Sequence, residues 1–113
     1  MTRPNRLRRY ADIVRVRRRG LRIETAHVVM LVAPGGGGLS RSVVSVARKF
    51  GSAVKRNRLR RQLTELLRIE LPYFERSVDI VVFPRLSAVD ASFMQLRGSI
   101  KEALRQMDVG ARV

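Results

Sequence analysis

Ser42-Val43-Val44-Ser45-Val46-Ala47-Arg48-Lys49-Phe50-Gly51-Ser52-Ala53-Val54-Lys55-Arg56-Asn57-Arg58-Leu59-Arg60-Arg61 holds a strand, a turn and the start of a helix in one ungapped run. Residues 42–47 are rich in valine and read as a strand. Arg48 to Gly51 read as a turn. Ser52 has the hydroxyl of an N-cap. Beyond it, at about 100° per residue, Leu59, Leu63, Leu66 and Leu67 form one apolar stripe. Asn57, Arg58, Arg61 and Arg68 point away from that stripe, and Arg60 lies on its flank. The helix is expected to stop before Pro72. Lys55 and Arg56 fall in its first turn, where a cation costs about 0.3–1 kcal/mol against the helix dipole. Two cations at that end make physical sense if an anion docks there, because a phosphate satisfies both them and the free backbone N–H groups.

Outward from this segment, the pattern becomes helical at Leu7. Leu7, Tyr10, Ala11 and Val14 are expected on the buried face, Ile13 and Val16 to its side, and Gly20 at the stop. Residues 1–6 are read as a flexible tip. Residues 21–26 suit a short strand, and 28–33, an unbroken apolar run closed by Pro34, suit a buried one. Gly35 to Gly38 lack the Lys-Ser/Thr of a P-loop and the spacing of a dinucleotide fingerprint, so they are read as a hairpin connection. Downstream, residues 78–83 form a strand closed by Pro84. Asp90 or Ser92 caps a last helix with Phe93, Leu96, Ile100, Leu104 and Met107 at i, i+3/i+4 spacing. The order is helix, strands, helix, strand, helix. It predicts one α+β domain over 1–113, a small sheet of about four strands with three helices packed on it. The other face or edge of the sheet is left for a ligand.

The 113 residues carry a net charge of +15, and the excess is lopsided. Residues 1–24 hold nine arginines and two acids, residues 25–64 eight cations and no acid, and residues 65–113 seven of each sign. Such a distribution implies a polyanionic partner. Arginine supplies 21 of the 24 positive charges, and its fork matches phosphate oxygens. A membrane surface needs a large apolar face beside the charge, with anchoring aromatics. The charged stretches lack one, so nucleic acid is favoured and no membrane is expected. With no cysteine, disulfides and thiolate metal sites are excluded. No apolar segment follows the basic N-terminus, and a soluble intracellular protein is the expectation.

Catalytic chemistry is not legible. His27 is the sole histidine and has no companion for a triad or a metal site, so it is read as structural or exposed. The acids form no D-x-D or E-x-x-H pattern that would hold Mg²⁺ or Zn²⁺. Asp79 is read as a strand-start residue and Asp12 as favouring its helix N-terminus. No catalytic group and no protein-bound metal are expected.

The run from Ser45 to Arg61, with Arg56-Asn57-Arg58 intact, resembles the signature of the bacterial ribonuclease P protein family. The resemblance extends upstream through Asn5-Arg6-Leu7, Asp12-Ile13, Val16 and Gly20. Downstream it continues through Asp79-Ile80-Val81-Val82 and the last helix. It implies a left-handed β-α-β crossover around the long helix, as in the second domain of ribosomal protein S5. It implies a cytoplasmic ribonucleoprotein that removes the 5′ leader of precursor tRNA, with Mg²⁺ held mainly by the RNA subunit. The partners implied are ribonuclease P RNA, in a 1:1 complex with a monomeric protein, and precursor tRNA. Arg48, Lys49, Lys55, Arg56, Asn57, Arg58, Arg60 and Arg61 would face RNA. Ile13, Val29, Leu31 and Ser45 would line the cleft for the leader.

Ile13, Arg17 and Leu31 stand where that family commonly has aromatics. The cleft is therefore expected to rely on charge and aliphatic contact. On the residues alone, a ribosomal protein, an RNA chaperone and a DNA-compacting protein share the charge and compete with this reading.

Overall fold

A computed structural model describes residues 6–36, 38–71 and 77–112, with side chains to residue 107. Helix α1 spans Tyr10–Arg19. It is followed by strands β1 (Leu21–Glu24), β2 (Val28–Pro34) and β3 (Arg41–Val44), helix α2 (Ala53–Glu70), strand β4 (Val78–Pro84) and helix α3 (Phe93–Arg112). Short 3₁₀ turns at Arg48–Phe50 and Leu86–Val89 precede α2 and α3. The fold is α+β.

The four strands lie in the order β1-β2-β4-β3. β1 pairs with β2 and β2 with β4, both antiparallel, whereas β3 and β4 are parallel and α2 makes the crossover between them. This corrects the hairpin expected at the glycine run. β4 inserts between β2 and β3, and Gly35 and Ser40 both bond to its start instead. There the Gly35 N–H donates to the Ser77 carbonyl at 3.0 Å, and the Val78 N–H to the Ser40 hydroxyl at 3.0 Å. Gly37 lies outside the described residues.

β3 is shorter than its valine pattern predicts, and proline gives the reason. The Ser45 N–H still donates to the Val82 carbonyl at 2.9 Å. In a parallel ladder the next bond would come from the N–H of residue 84, but Pro84 has none. The chain then turns away through the 3₁₀ turn into α2.

Helices cover both faces of the sheet, not one. On one face Met30, Val32, Val44, Ile80 and Val82 pack with Leu59, Leu63, Leu66 and Leu67 of α2 and with Leu96, Ile100, Ala103 and Met107 of α3. On the other, Leu31, Ala33 and Val81 pack against Leu7 and Val16. This double coverage is why β2 and β4 read as apolar runs without alternation. Each fully buried leucine contributes about 1.5–3 kcal/mol, so the α2 stripe is a principal anchor of the long helix.

The face of α1 differs from the expected one. Tyr10 is 81% exposed and Ala11 is exposed, while Val16 is fully buried and Ile13 packs at its side. Leu7 is buried, but as extended chain: its N–H donates to the Ser42 carbonyl at 2.9 Å, and Arg6 forms a parallel bridge with Ser42. Pairing along the β3 edge therefore replaces the first helical turn and shifts the helix start to Tyr10. It also orders Arg6, the last residue of the expected flexible tip; residues 1–5 lie outside the described residues.

α1 is further tied down by charge. Asp79 is fully buried, and its carboxylate accepts from Arg41 Nε at 3.0 Å and Nη2 at 2.8 Å, and from Arg15. Arg15 also donates to the Pro34 carbonyl at 3.1 Å, and Asp12 lies 3.6 Å from Arg15 and 3.5 Å from Arg41. The hydrogen bonds to Asp79 push the Arg41 pKa still further up. Asp79 is thus the centre of an ion network between α1, β3 and β4, a larger part than a strand start.

The helix caps follow the sequence signals. The Ser52 hydroxyl accepts from the Lys55 N–H at 3.3 Å. At α3, Ser92 is the cap: its hydroxyl accepts from the Gln95 N–H at 3.1 Å, and the Gln95 side chain accepts from the Ser92 N–H at 2.9 Å, a reciprocal capping box. Phe93, expected in the core, is 39% exposed, and Ala103 takes a core position.

Candidate nucleic-acid interface

The turn before α2 sets the direction of the basic helix. Gly51 has φ +123° and ψ −157°, a backbone region open essentially to glycine. Its N–H closes the 3₁₀ turn by donating to the Arg48 carbonyl at 3.3 Å. Phe50 is buried beneath this turn, and Lys49 Nζ sits 5.7 Å from its ring centroid. The turn thereby presents Arg48 and Lys49 beside the first turn of α2.

The eight residues expected to face RNA share this end of the molecule. Arg48, Lys49, Lys55, Asn57, Arg58 and Arg61 are exposed; Arg56 and Arg60 are half-buried. Arg60 Nη1 donates to Asn57 Oδ1 at 2.7 Å, which fixes the guanidinium against the helix. The first turn of α2 carries no acid. Among the described residues, none of the seven cations from Arg48 to Arg61 pairs with a carboxylate. The ion pairs go instead to Arg15, Arg22, Arg41, Arg68, Arg97 and Arg105. Arg56 Nε is buried and has no hydrogen-bond partner. The exposed cations at this end of α2, without carboxylate partners among the described residues, are what make it complementary to an incoming anion.

A cleft opens beside the helix, with a volume of about 250 Å³. Ile13 and Arg17 of α1 form one side and Arg60 of α2 contributes from the other. Val43 of β3, Val81 and Phe83 of β4, and the segment through Ser45 and Val46 complete its lining. The register explains this grouping. Leu31, Val81 and Val43 are aligned across the sheet, as are Val29 and Phe83. α1 covers Leu31 and leaves Phe83 half-buried.

Of the four expected cleft residues, Ile13 and Ser45 line the cavity, Leu31 is buried under α1, and Val29 neighbours Phe83 without lining it. The cleft is not devoid of aromatics, because Phe83 supplies one. Arg17 Cζ lies 5.4 Å from its ring centroid. Sequence reading missed Phe83 because a strand buried on both faces gives no alternation to show which side chains look toward the cleft. Pairing in space across 66 residues likewise left no local signal.

His27 is tied into the turn joining β1 to β2. Its N–H donates to the Ser99 hydroxyl at 3.0 Å, its carbonyl accepts from the Arg85 N–H at 2.8 Å, and Nδ1 meets the Ser87 hydroxyl at 2.9 Å. These bonds fit the structural reading of that residue. Among the described residues no group of three or more His, Cys, Asp or Glu could hold a metal ion, and no helix is long and apolar enough to cross a membrane.

Fold and site together define a small α+β protein whose unpaired cations and adjoining cleft suit a polyanion. The chain belongs to the ribonuclease P protein family: the family model Ribonuclease P matches residues 1–108. It is 38% identical over 107 residues to the ribonuclease P protein component of Chloroflexus aggregans, covering 94% of this chain and 79% of that one. It is 30% identical to that of Desulfatibacillum aliphaticivorans, covering 98% and 94%. The solved RNase P protein of Thermotoga maritima superposes with a TM-score of 0.81 at 30% identity, covering 89% of this chain and 96% of that one.

Proposed function

We propose that this chain is the phosphate-gripping subunit of a cytoplasmic ribonuclease P, bound as one protomer to the ribonuclease P RNA. In this reading it assists endonucleolytic removal of the 5′ leader from precursor tRNA. The observation that carries the proposal is the set of seven cations, Arg48 to Arg61, left without carboxylate partners among the described residues, beside a cleft. Such cations bind nucleic acid by releasing condensed counterions. The N-terminus of α2 adds its dipole and free N–H groups. The cleft, with an apolar floor and cationic sides, suits the single-stranded leader, whose bases are unpaired and free to stack.

The hydrolysis itself belongs, in this reading, to the RNA subunit with Mg²⁺. The described carboxylates are dispersed or paired with arginines and do not suit that ion. What the chain contributes is neutralisation of phosphates where substrate meets RNA, which tightens binding and lowers the Mg²⁺ needed.

Reconstitution tests this. The protein is mixed with a bacterial ribonuclease P RNA and precursor tRNA at low Mg²⁺, and stimulated 5′ cleavage is expected. No stimulation, together with tight binding to ribosomal RNA, would support a ribosomal protein or RNA chaperone instead. Cleavage by the protein alone would overturn the assignment of the chemistry to RNA.

A further inference from the structure

The two outer edges of the sheet are treated differently. Along β3 the chain before α1 seals the edge: Arg6 bridges to Ser42, and the Leu7 N–H donates to the Ser42 carbonyl at 2.9 Å. β1 forms the opposite edge, whereas the cleft is lined from β3 and β4 and the basic run follows β3. On its inner side β1 pairs with β2, with Leu21 opposite Val32 and Ile23 opposite Met30, and the Thr25 N–H donates to the Val28 carbonyl at 3.0 Å. Antiparallel bonding alternates, so Leu21, Ile23 and Thr25 bond inward and the backbone groups of Arg22 and Glu24 point away from β2. Among the described residues, no hydrogen bond reaches those outward groups.

The side chains of this edge carry a matching pattern. Arg22 and Glu24 share one face and are exposed, and Arg22 Nε donates to Glu24 Oε1 at 3.0 Å. Leu21, Ile23 and Thr25 share the other face. Ile23 and Thr25 are buried there, whereas Leu21 is 51% exposed. A cation and an anion two residues apart, at the positions whose backbone groups are free, make an edge that is complementary to itself in antiparallel orientation.

We propose that the open edge of β1 pairs with the same edge of a second copy of this chain, antiparallel and centred on Ile23. In that register Arg22 of each copy stands opposite Glu24 of the other, and both pairs exchange backbone hydrogen bonds across the twofold axis. Ile23 meets its own mate, and each Leu21 comes beside Thr25 of the other copy, which covers the exposed leucine. Sliding the strands by two residues sets Arg22 against Arg22 or Glu24 against Glu24, so charge fixes the register as well as the partner. Charged residues on an edge strand commonly block such pairing. Here their opposite signs fall in register with their own mates and favour it. The joined sheets keep the β3 edges, the clefts and the basic runs at their two far ends. Each copy thus leaves its RNA-binding surface uncovered, and one protomer per RNA is retained.

The test uses the complete chain without RNA at physiological ionic strength, where a Debye length of about 8 Å screens much of the repulsion between two molecules of charge +15. Sedimentation equilibrium over a concentration series is expected to show a monomer–dimer equilibrium. Amide exchange is expected to slow at Arg22 and Glu24 as the dimer forms. Arg22→Glu and Glu24→Arg each set like charges opposite one another and should weaken association roughly tenfold or more. Both positions are exposed, so neither substitution disturbs the core. An equal mixture of the two variants should recover the association, since every Glu then faces an Arg. Arg22→Glu also lowers the net charge, so association governed by repulsion alone would strengthen in that variant instead. A chain that stays monomeric throughout the series, a dimer that neither substitution weakens, or a mixture that fails to recover would each overturn the proposal. So would dimerisation that leaves exchange at Arg22 and Glu24 unchanged, because the copies would then meet through another surface.

Discussion

Arg41 and Asp79 face each other at aligned positions of the parallel strands β3 and β4, joined by two hydrogen bonds of 3.0 and 2.8 Å. The carboxylate is buried while the guanidinium reaches partly into solvent, and Arg15 of α1 binds the same carboxylate. This pairing couples the seating of α1, and with it one side of the cleft, to the sheet. Asp79→Ala leaves two arginines facing an emptied site. Removing one partner of a buried pair costs about 3–5 kcal/mol. With both arginines about one-third exposed, the expected loss is nearer 2–3 kcal/mol. Urea unfolding measures it, and an unchanged midpoint would refute the structural weight given to Asp79.

Phosphate neutralisation has an ionic-strength signature. If about six phosphates are neutralised, log K for RNA should fall against log salt with a slope of about −4 to −5. Arg58→Ala combined with Arg61→Ala should make that slope shallower by roughly 1.5–2 and weaken different RNAs alike, because phosphate contacts carry little sequence information. Filter binding across a salt series reads both, and a slope near zero would contradict the interface.

Gly51 holds a conformation that side chains rarely adopt, and a Cβ there would stand 3.1 Å from the Lys55 side chain. Gly51→Ala is expected to cost about 1–3 kcal/mol of stability, the range for a residue forced into a sparsely populated backbone region. It should also lower RNA affinity, since this turn aims Arg48, Lys49 and the start of α2. Thermal unfolding and RNA titration on the same sample separate the two effects.

Glu102 provides a pH prediction. Hydrogen bonds from Arg105 and then Gln106 hold its carboxyl down at about 2, against an ordinary value of 4.5. The folded-state pKa is depressed, so the associated stabilisation is present above about pH 4.5 and is lost as pH falls toward 2. Carboxyl-carbon NMR should find the Glu102 midpoint near that low value. Arg105→Ala should return it toward the ordinary range, and a normal midpoint in the unaltered protein would refute the pairing.

Much of the architecture was legible because local signals agreed. The α2 stripe, Leu59, Leu63, Leu66 and Leu67, is buried as its spacing required, and Ser52 caps where its hydroxyl suggested. The basic run was legible too, since a charge imbalance depends only on composition. α1 was misread at its start because Leu7 is satisfied by the Ser42 carbonyl, a partner 35 residues away that no periodicity announces. The glycine run was misread as a hairpin because strand order is a global property, and β4 enters between strands that are neighbours in sequence.

The sequence alone established the helix that carries the cations, the excess of positive charge and the resemblance that places the chain in its family. These are local or additive properties, set by side-chain spacing and by counting. The fold settled which cations lack carboxylate partners among the described residues, which side chains of β4 look toward the cleft, and that Arg17 rests on Phe83. Those relations depend on long-range pairing across the sheet. A strand covered by helices on both faces does not encode, in its own residues, which side chain meets which neighbour.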